Sequence, residues 1–268
     1  MSTRVRASVV ATALLVVAGA VLFVRPGSDS SPTAADALLA SESFLHTVHL
    51  RGYADDTLAN TCTGVLVAPE WVLTVKHCWG RADSFTAIVG VADWTTAERD
   101  PAAFVYRAEI IERQGRGVDL AMIRLERPVP SAVGTPVPLL ADAELPEGTS
   151  VLVSGWGERD GGVRPDSLDS FVTTVDADCG RWGDPATDVG FLEAGFQADI
   201  TICTSPIPKG ACTGDSGGPV VVDQLGELML AGIIAFGSGE GCGADPSLPD
   251  GHVAVAPFVD WIERLVQG

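Results

Sequence analysis

Gly214-Asp215-Ser216-Gly217-Gly218-Pro219 sets a serine in a tight glycine turn, with a carboxylate before it and a proline behind. Glycines on both sides let the backbone take conformations that a side chain forbids, and let another segment approach closely. The serine hydroxyl can then face outward while the N–H groups of Gly214 and Ser216 converge where negative charge would develop. That is the arrangement of a nucleophile beside an oxyanion hole. The plainer reading, a β-turn with an incidental serine, loses ground once the rest of the chain is read.

A serine hydroxyl needs a base and an orienting acid. The chain has four histidines: His46, His49, His77 and His252. His46 and His49 alternate with apolar residues in Phe44-Leu45-His46-Thr47-Val48-His49-Leu50 and read as parts of an ordinary strand, while His252 follows Asp250-Gly251, which reads as a turn. His77 ends an apolar strand, Trp71-Val72-Leu73-Thr74-Val75-Lys76-His77-Cys78, where a disulfide at the next residue would pin its backbone. The acid candidate is Asp119, which opens the apolar run Leu120-Ala121-Met122-Ile123-Arg124-Leu125. A lone carboxylate there is costly to bury unless paired. An imidazole N–H supplies the partner and has its tautomer fixed in return.

Together these residues resemble the trypsin/chymotrypsin family of serine endopeptidases, over roughly residues 41–268. His77 matches the family's histidine before a disulfide cysteine, Asp119 its Asp-Leu-Ala-Met-Ile strand, and Ser216 its Gly-Asp-Ser-Gly-Gly-Pro turn. Ser154-Gly155-Trp156-Gly157 matches the segment that opens the family's second half. The order His, Asp, Ser is also the family's. The serine turn satisfies the Gly-x-Ser-x-Gly elbow of α/β-hydrolases too, but that fold places its acid and histidine after the serine and follows it with a helix. Here only His252 follows, and the sequence after Gly218 continues as β-type.

The resemblance implies an all-β fold: two six-stranded antiparallel β-barrels with a C-terminal α-helix, residues 41–135 forming the first and 136–268 the second. The site would lie between them. The residues themselves agree with an all-β chain. Val/Ile/Leu/Thr-rich runs recur between Gly, Pro and Asp breaks at 45–50, 63–67, 71–75, 85–90, 103–112, 119–125, 150–154, 170–175, 218–223, 227–236 and 252–255. The Pro-rich interval 127–148 reads as the crossover. Pro257 suits a first helical position, and Phe258, Trp261, Ile262, Leu265 and Val266 make one apolar helix face.

Six cysteines, 62, 78, 179, 203, 212 and 242, allow fifteen pairings, and sequence alone does not choose among them. The resemblance implies Cys62–Cys78, Cys179–Cys203 and Cys212–Cys242. The first closes a loop of about 15 residues, worth roughly 3 kcal/mol in the chain-entropy model. An even set suits an oxidising compartment, and no cysteine spacing suits a metal. At the N-terminus, Arg4 and Arg6 precede an apolar run over 7–24 that ends at Arg25-Pro26. Residues 1–26 thus read as a cleaved signal peptide, with Ala18-Gly19-Ala20 as small residues for cleavage, or as a membrane anchor. The polar stretch 27–40 reads as a linker or propeptide. Secretion, or display on the outer face of the membrane, follows. A net charge of −18 with only two lysines, Lys76 and Lys209, excludes nucleic acid as a partner.

The resemblance further implies acyl transfer by Ser216, His77 and Asp119, an oxyanion hole at Gly214 and Ser216, no cofactor or metal, polypeptide substrates, protein inhibitors and a monomer. The pocket for the substrate side chain would be built from Gly210, Ala211, Thr213, Phe236, Gly237 and Gly251. Gly210 as its floor and Gly237 and Gly251 as its walls make it open and neutral, with a chymotrypsin-like preference. A register shifted by one residue would instead put Asp250 on the wall, and Glu240 could act at the rim. The chain departs from the family in several places. Ala235 stands where a serine usually helps hold the acid. Lys76 precedes the histidine and is expected to reach solvent, and Thr63 replaces a glycine after Cys62. No Ile-Val-Gly-Gly occurs near 33–42, the motif whose cleavage frees an amine that pairs with the residue equivalent to Asp215. That gap keeps a catalytically silent, partner-binding homologue as the alternative reading.

Overall fold

The computed structural model describes residues 42–80, 82–114, 117–141, 145–159, 162–177, 179, 199–205, 210–237 and 249–268. The N-terminal apolar run and linker, Lys209, Glu240 and Cys242 lie outside these residues. Two closed antiparallel barrels are formed. The first has strand order β1-β2-β3-β6-β5-β4, and the second β10-β11-β12-β9-β8-β7.

In the first barrel, β1 (Thr47–Ala54), β2 (Thr57–Ala68) and β3 (Trp71–Thr74) form a meander, and β4 (Ser84–Val89), β5 (Val105–Arg113) and β6 (Ala121–Leu125) close it. Alternation decides which side chains turn inward. Val48 and Leu50 of β1, Val65 of β2, Leu73 of β3 and Ile123 of β6 are each 2 % exposed or less. Between β4 and β5 lie two short helices, α1 (Thr95–Arg99) and α2 (Pro101–Phe104). The apolar run that opens near 103 therefore starts as a helical turn, because Pro101 at a helix start pre-sets the backbone for it.

The second barrel contains β7 (Ser150–Gly155), β8 (Asp169–Asp176), β9 (Thr201–Thr204), β10 (Pro219–Gln224), β11 (Glu227–Phe236) and β12 (Asp250–Ala254). Strand β9 escapes sequence reading, since Thr201-Ile202-Cys203-Thr204 carries no clear apolar alternation. His252 lies in β12 and not in a turn: it is fully buried, with Nε2 2.9 Å from Thr204 Oγ1. The C-terminal helix α3 (Val259–Gln267) follows a 3-10 turn at Ala256–Phe258, so Pro257 sits one short turn ahead of the α-helix. Its expected apolar face is buried through Trp261 and Ile262, and Trp261 Nε1 donates to Glu112 of β5 at 2.7 Å. The last element of the chain thus ties back onto the first barrel. The disulfides Cys62–Cys78 and Cys179–Cys203 form as the resemblance implied. Cys212 is also disulfide-bonded.

Among the described residues, backbone hydrogen bonds join the barrels along seams that include two near the site. Residues 92–94 of the first pair with 166–168 of the second, through Trp94 N–H to Asp166 O at 3.1 Å and Leu168 N–H to Ala92 O at 2.7 Å. The second seam runs through the serine turn: Thr63 N–H donates to Ser216 O at 2.8 Å, and Thr63 Oγ1 donates to Gly214 O at 2.8 Å.

Candidate active site

Strand pairing brings His77 and Asp119 together. β3 and β6 are antiparallel neighbours with Thr74 opposite Ala121. The chain just after β3 therefore lies beside the chain just before β6. His77 occupies a 3-10 turn (Lys76–Trp79) that Cys78 fastens to β2. Asp119 grips it at two points: Oδ1 accepts the His77 backbone N–H at 2.9 Å, and Oδ2 lies 2.6 Å from Nδ1. The Asp119 side chain is 15 % exposed and that of His77 47 %. The ring is thus fixed on its inner nitrogen and open on the outer one. Among the described residues, both hydrogen bonds to Asp119 come from His77, and Ala235 offers no hydroxyl. Lys76 does not reach out to solvent as expected. Its Nζ folds back to donate to Val118 O at 2.7 Å, because the half-buried turn leaves a backbone carbonyl within reach.

Ser216 lies in the turn that leads into β10 and lines the same cavity as His77, Thr213, Gly214 and Arg164. No hydrogen bond joins its hydroxyl to the His77 ring among the described residues. The turn itself is tightly specified. Asp215 N–H donates to Cys212 O at 2.9 Å, Gly218 N–H to Asp215 O at 2.8 Å and Gly217 N–H to Ile234 O at 2.7 Å. Gly214 has φ +103°, a backbone that side chains rarely tolerate, which is why a glycine stands there. Among the described residues, the N–H groups of Gly214 and Ser216 donate to no protein group. Two unpaired donors flanking a hydroxyl can receive an oxyanion.

Asp215 is 1 % exposed. Burial pushes its carboxyl up, and Arg159 with the backbone N–H groups of Gly157 and Cys212 pulls against that. Arg159 was not singled out in the sequence, because a cation four residues after Gly155 follows no spacing rule.

Gly210 and Ala211 are buried and Thr213 is exposed, while Phe236 and Gly237 are half-buried at the end of β11. Neighbours on a strand face opposite ways. The α-carbon of Gly251 sits against the Phe236 ring, whereas the Asp250 carboxylate lies beside Gly210 and Gly237: a Cβ on Gly237 would lie 3.1 Å from its Oδ1. Its Oδ2 accepts the Ala211 N–H at 3.1 Å. A carboxylate thus stands beside Gly210 and Gly237, the residues expected as floor and wall, whereas Gly251 faces the Phe236 ring. Arg164 was also missed. Its guanidinium hydrogen-bonds the Thr61 hydroxyl and lies 3.3 Å from Glu158 Oε1, at the cavity's edge.

Comparison with known proteins agrees with this fold. The family model Trypsin matches residues 41–262. "Serine protease SP24D" of Anopheles gambiae is 31 % identical over 214 residues, spanning 78 % of this chain and 73 % of the relative. "Kallikrein-4" of Homo sapiens is 29 % identical over 214 residues, spanning 77 % and 78 %. A solved structure, "HL collagenase structure", superposes with a TM-score of 0.67 at 25 % identity, covering 85 % of this chain and 96 % of the other. With the two-barrel fold, the serine turn and a family match over most of its length, the chain belongs to the trypsin family of serine endopeptidases.

Proposed function

We propose that the chain hydrolyses peptide bonds through an acyl-enzyme on Ser216, with His77 as base and then acid and Asp119 as the group that orients it. The observation that carries this reading is the two-point grip of Asp119 on His77, within a cavity that Ser216 also lines. With Nδ1 facing a carboxylate, Nε2 is the nitrogen left to take the hydroxyl proton. As that proton leaves, Oγ bonds the substrate carbonyl carbon and the C=O electron pair moves onto oxygen. The N–H groups of Gly214 and Ser216 receive that oxyanion, each such donor being worth about 10²–10³ in rate. His77 then protonates the leaving amine as the C–N bond breaks, and water repeats the sequence to release the acid. Hydrogen bonds between base and nucleophile are often long in the free enzyme and tighten with substrate bound.

For substrate class, the neutral-pocket expectation gives way to a reading built on Asp250. An open pocket with glycines at 210 and 237 and a carboxylate beside the floor accepts a long cationic side chain, and still admits apolar ones when the carboxyl is neutral. Arg and Lys are therefore the favoured residues before the scissile bond, with Leu and Phe as secondary ones. Export fits the disulfides and the N-terminal sequence; among the described residues no helix is long and apolar enough to cross a membrane.

The test is a fluorophosphonate label on the purified full chain. The probe is expected to react at Ser216 and to lose reaction in Ser216→Ala. Equal labelling of both proteins would exclude the assignment.

A further inference from the structure

Asp215 belongs to no step of the proposed reaction, yet it is the most completely enclosed carboxylate beside the nucleophile. Its Oδ1 accepts the Gly157 N–H at 2.6 Å, and its Oδ2 accepts the Cys212 N–H at 3.0 Å and Arg159 Nη1 at 2.9 Å. The walls are close: a side chain at Gly157 would overlap the carboxylate itself. An ammonium group arriving from elsewhere would have to compete with the guanidinium for Oδ2.

Arg159 is held as firmly as the group it holds. Nε donates to Asp169 Oδ2 at 2.8 Å, Nη1 also donates to Glu158 O at 2.8 Å, and its backbone N–H donates to Val163 O at 2.8 Å. A planar guanidinium can face two carboxylates at once, which an ammonium cannot match in geometry. Burial works against its charge, and Asp215 and Asp169 overcome this and hold it above its ordinary value. The same segment also grips the turn. Glu158 N–H donates to Thr213 O at 2.9 Å. In a trans peptide the C=O and the following N–H point in opposite directions. Fixing the Thr213 carbonyl therefore turns the Gly214 N–H the other way, and that N–H is left unpaired.

We propose that Arg159 is a built-in positioning residue, which locks Asp215 and the oxyanion-hole turn so that the hole forms without a newly freed N-terminal amine. It takes the part that the amine plays in the proteases this chain resembles. The inference rests on Ser216 and His77 being nucleophile and base, and the fluorophosphonate comparison tests that separately.

Two readouts decide it, both on the full chain. An α-amine loses its charge on the alkaline side, whereas a guanidinium keeps it. The wild-type kcat/KM is expected to stay level from about pH 8 to 10.5, by the titration ranges of these groups. A fall there, in protein that circular dichroism shows folded, overturns the proposal. Arg159→Gln is expected to lower kcat about 100-fold or more, the scale of one lost oxyanion donor, with KM changed far less. Arg159→Lys should recover part of that kcat, since it restores the charge without the fork. Unchanged kcat in a folded Arg159→Gln overturns the proposal. Should Arg159→Gln not fold, Arg159→Lys alone decides: reduced kcat with near-normal KM supports it, and wild-type kcat overturns it. If wild type is unlabelled at Ser216, it is the reading of the nucleophile that fails, whatever Arg159 does.

Discussion

Asp250 shows how one residue's surroundings can set both a preference and a stability term. Burial, with a smaller push from Asp215, raises its carboxyl from 3.8 to about 6, against the pull of one backbone N–H. A shift of about two units corresponds to roughly 3 kcal/mol between the two protonation states. Below pH 6 the proposed pocket is neutral, and above it the pocket is anionic. The ratio of kcat/KM for an Arg substrate to that for a Leu substrate should therefore rise at least tenfold between pH 5 and 7.5, by the charge a paired carboxylate gains. Taking the ratio cancels the titration of His77, which both substrates share. Asp250→Asn should flatten the curve at its acidic value; a ratio that does not change with pH, or that survives the substitution, rules out Asp250 as the recognising group. The stability sign follows from the same shift. Because the folded carboxyl binds its proton more tightly than the unfolded one, stability is full below pH 3.8 and is lost as pH rises through about 6. Asp250→Asn should then unfold at higher urea than wild type at pH 7.5, by up to about 3 kcal/mol.

Strand β2 carries the residue that joins the two halves of the proposed active site. Thr63 is completely buried and makes three bonds, two of them across the seam. Its N–H meets Ser216 O, its hydroxyl meets Gly214 O, and its carbonyl takes the Thr74 hydroxyl at 2.8 Å. A glycine there, as the family usually has, could keep only the backbone bonds. Thr63→Val preserves shape and removes one donor, leaving the Gly214 carbonyl unpaired at a cost of about 1–3 kcal/mol. Because that carbonyl belongs to the proposed oxyanion turn, kcat should fall about tenfold or more for a cost of this size, while both barrels stay folded. Stopped-flow acylation rates beside a melting curve would separate the two effects, and unchanged acylation would show that the bond serves folding alone. The contrast between Thr63 and His77 marks what a linear reading can reach. His77, Asp119 and Ser216 each sit in a local string whose residue types are demanded by chemistry, and every strand but β9 announces itself as a Val/Ile/Leu/Thr-rich run between breaks. Thr63, Arg159 and Arg164 act through partners about 100 or more residues away, or through loop geometry with no period, so nothing nearby in the chain marks them. Asp250 lay between these cases. Its strand was visible from 252, but a slip of one residue exchanges the faces of a strand, and only packing against Phe236 fixed the register.

Across the whole molecule, three histidines outside the proposed reaction tie stability to pH. His46 enters the first barrel, His49 lies within β1, and His252 lies within β12, so both barrels are involved. Burial lowers His46 to about 4 and His252 to about 3. Burial, then the charges of Arg51 and Arg164, lowers His49 to about 3. Among the described residues His46 Nε2, His49 Nδ1 and His252 Nδ1 have no hydrogen-bond partner, so no described carboxylate compensates a proton there. All three are bound neutral in the fold but titrate near 6.5 once unfolded. Below 6.5 the unfolded chain binds more protons, so the stability present above pH 6.5 is lost as pH falls toward 3 or 4. Each histidine contributes about 1.4 kcal/mol per pH unit, or roughly 4 for all three. Asp250 opposes one of them between pH 6 and 3.8, leaving a slope of about two protons in that range. Acid also relieves the self-repulsion of a chain carrying −18. That relief needs carboxylates to protonate, near pH 4, whereas the histidine cost begins two units higher. The histidines should therefore dominate first. Set against a typical total of about 5–15 kcal/mol, the loss is enough to unfold the protein between pH 6 and 4. Urea midpoints should be level from pH 8 to 7 and drop steeply below 6. His49→Phe, which keeps a flat ring against Trp94 (centroids 5.9 Å apart for the histidine), should remove about 1.4 kcal/mol per unit from that slope. Midpoints that hold level down to pH 4 in wild type would mean that water reaches these rings, and that the barrel interiors are not packed as described.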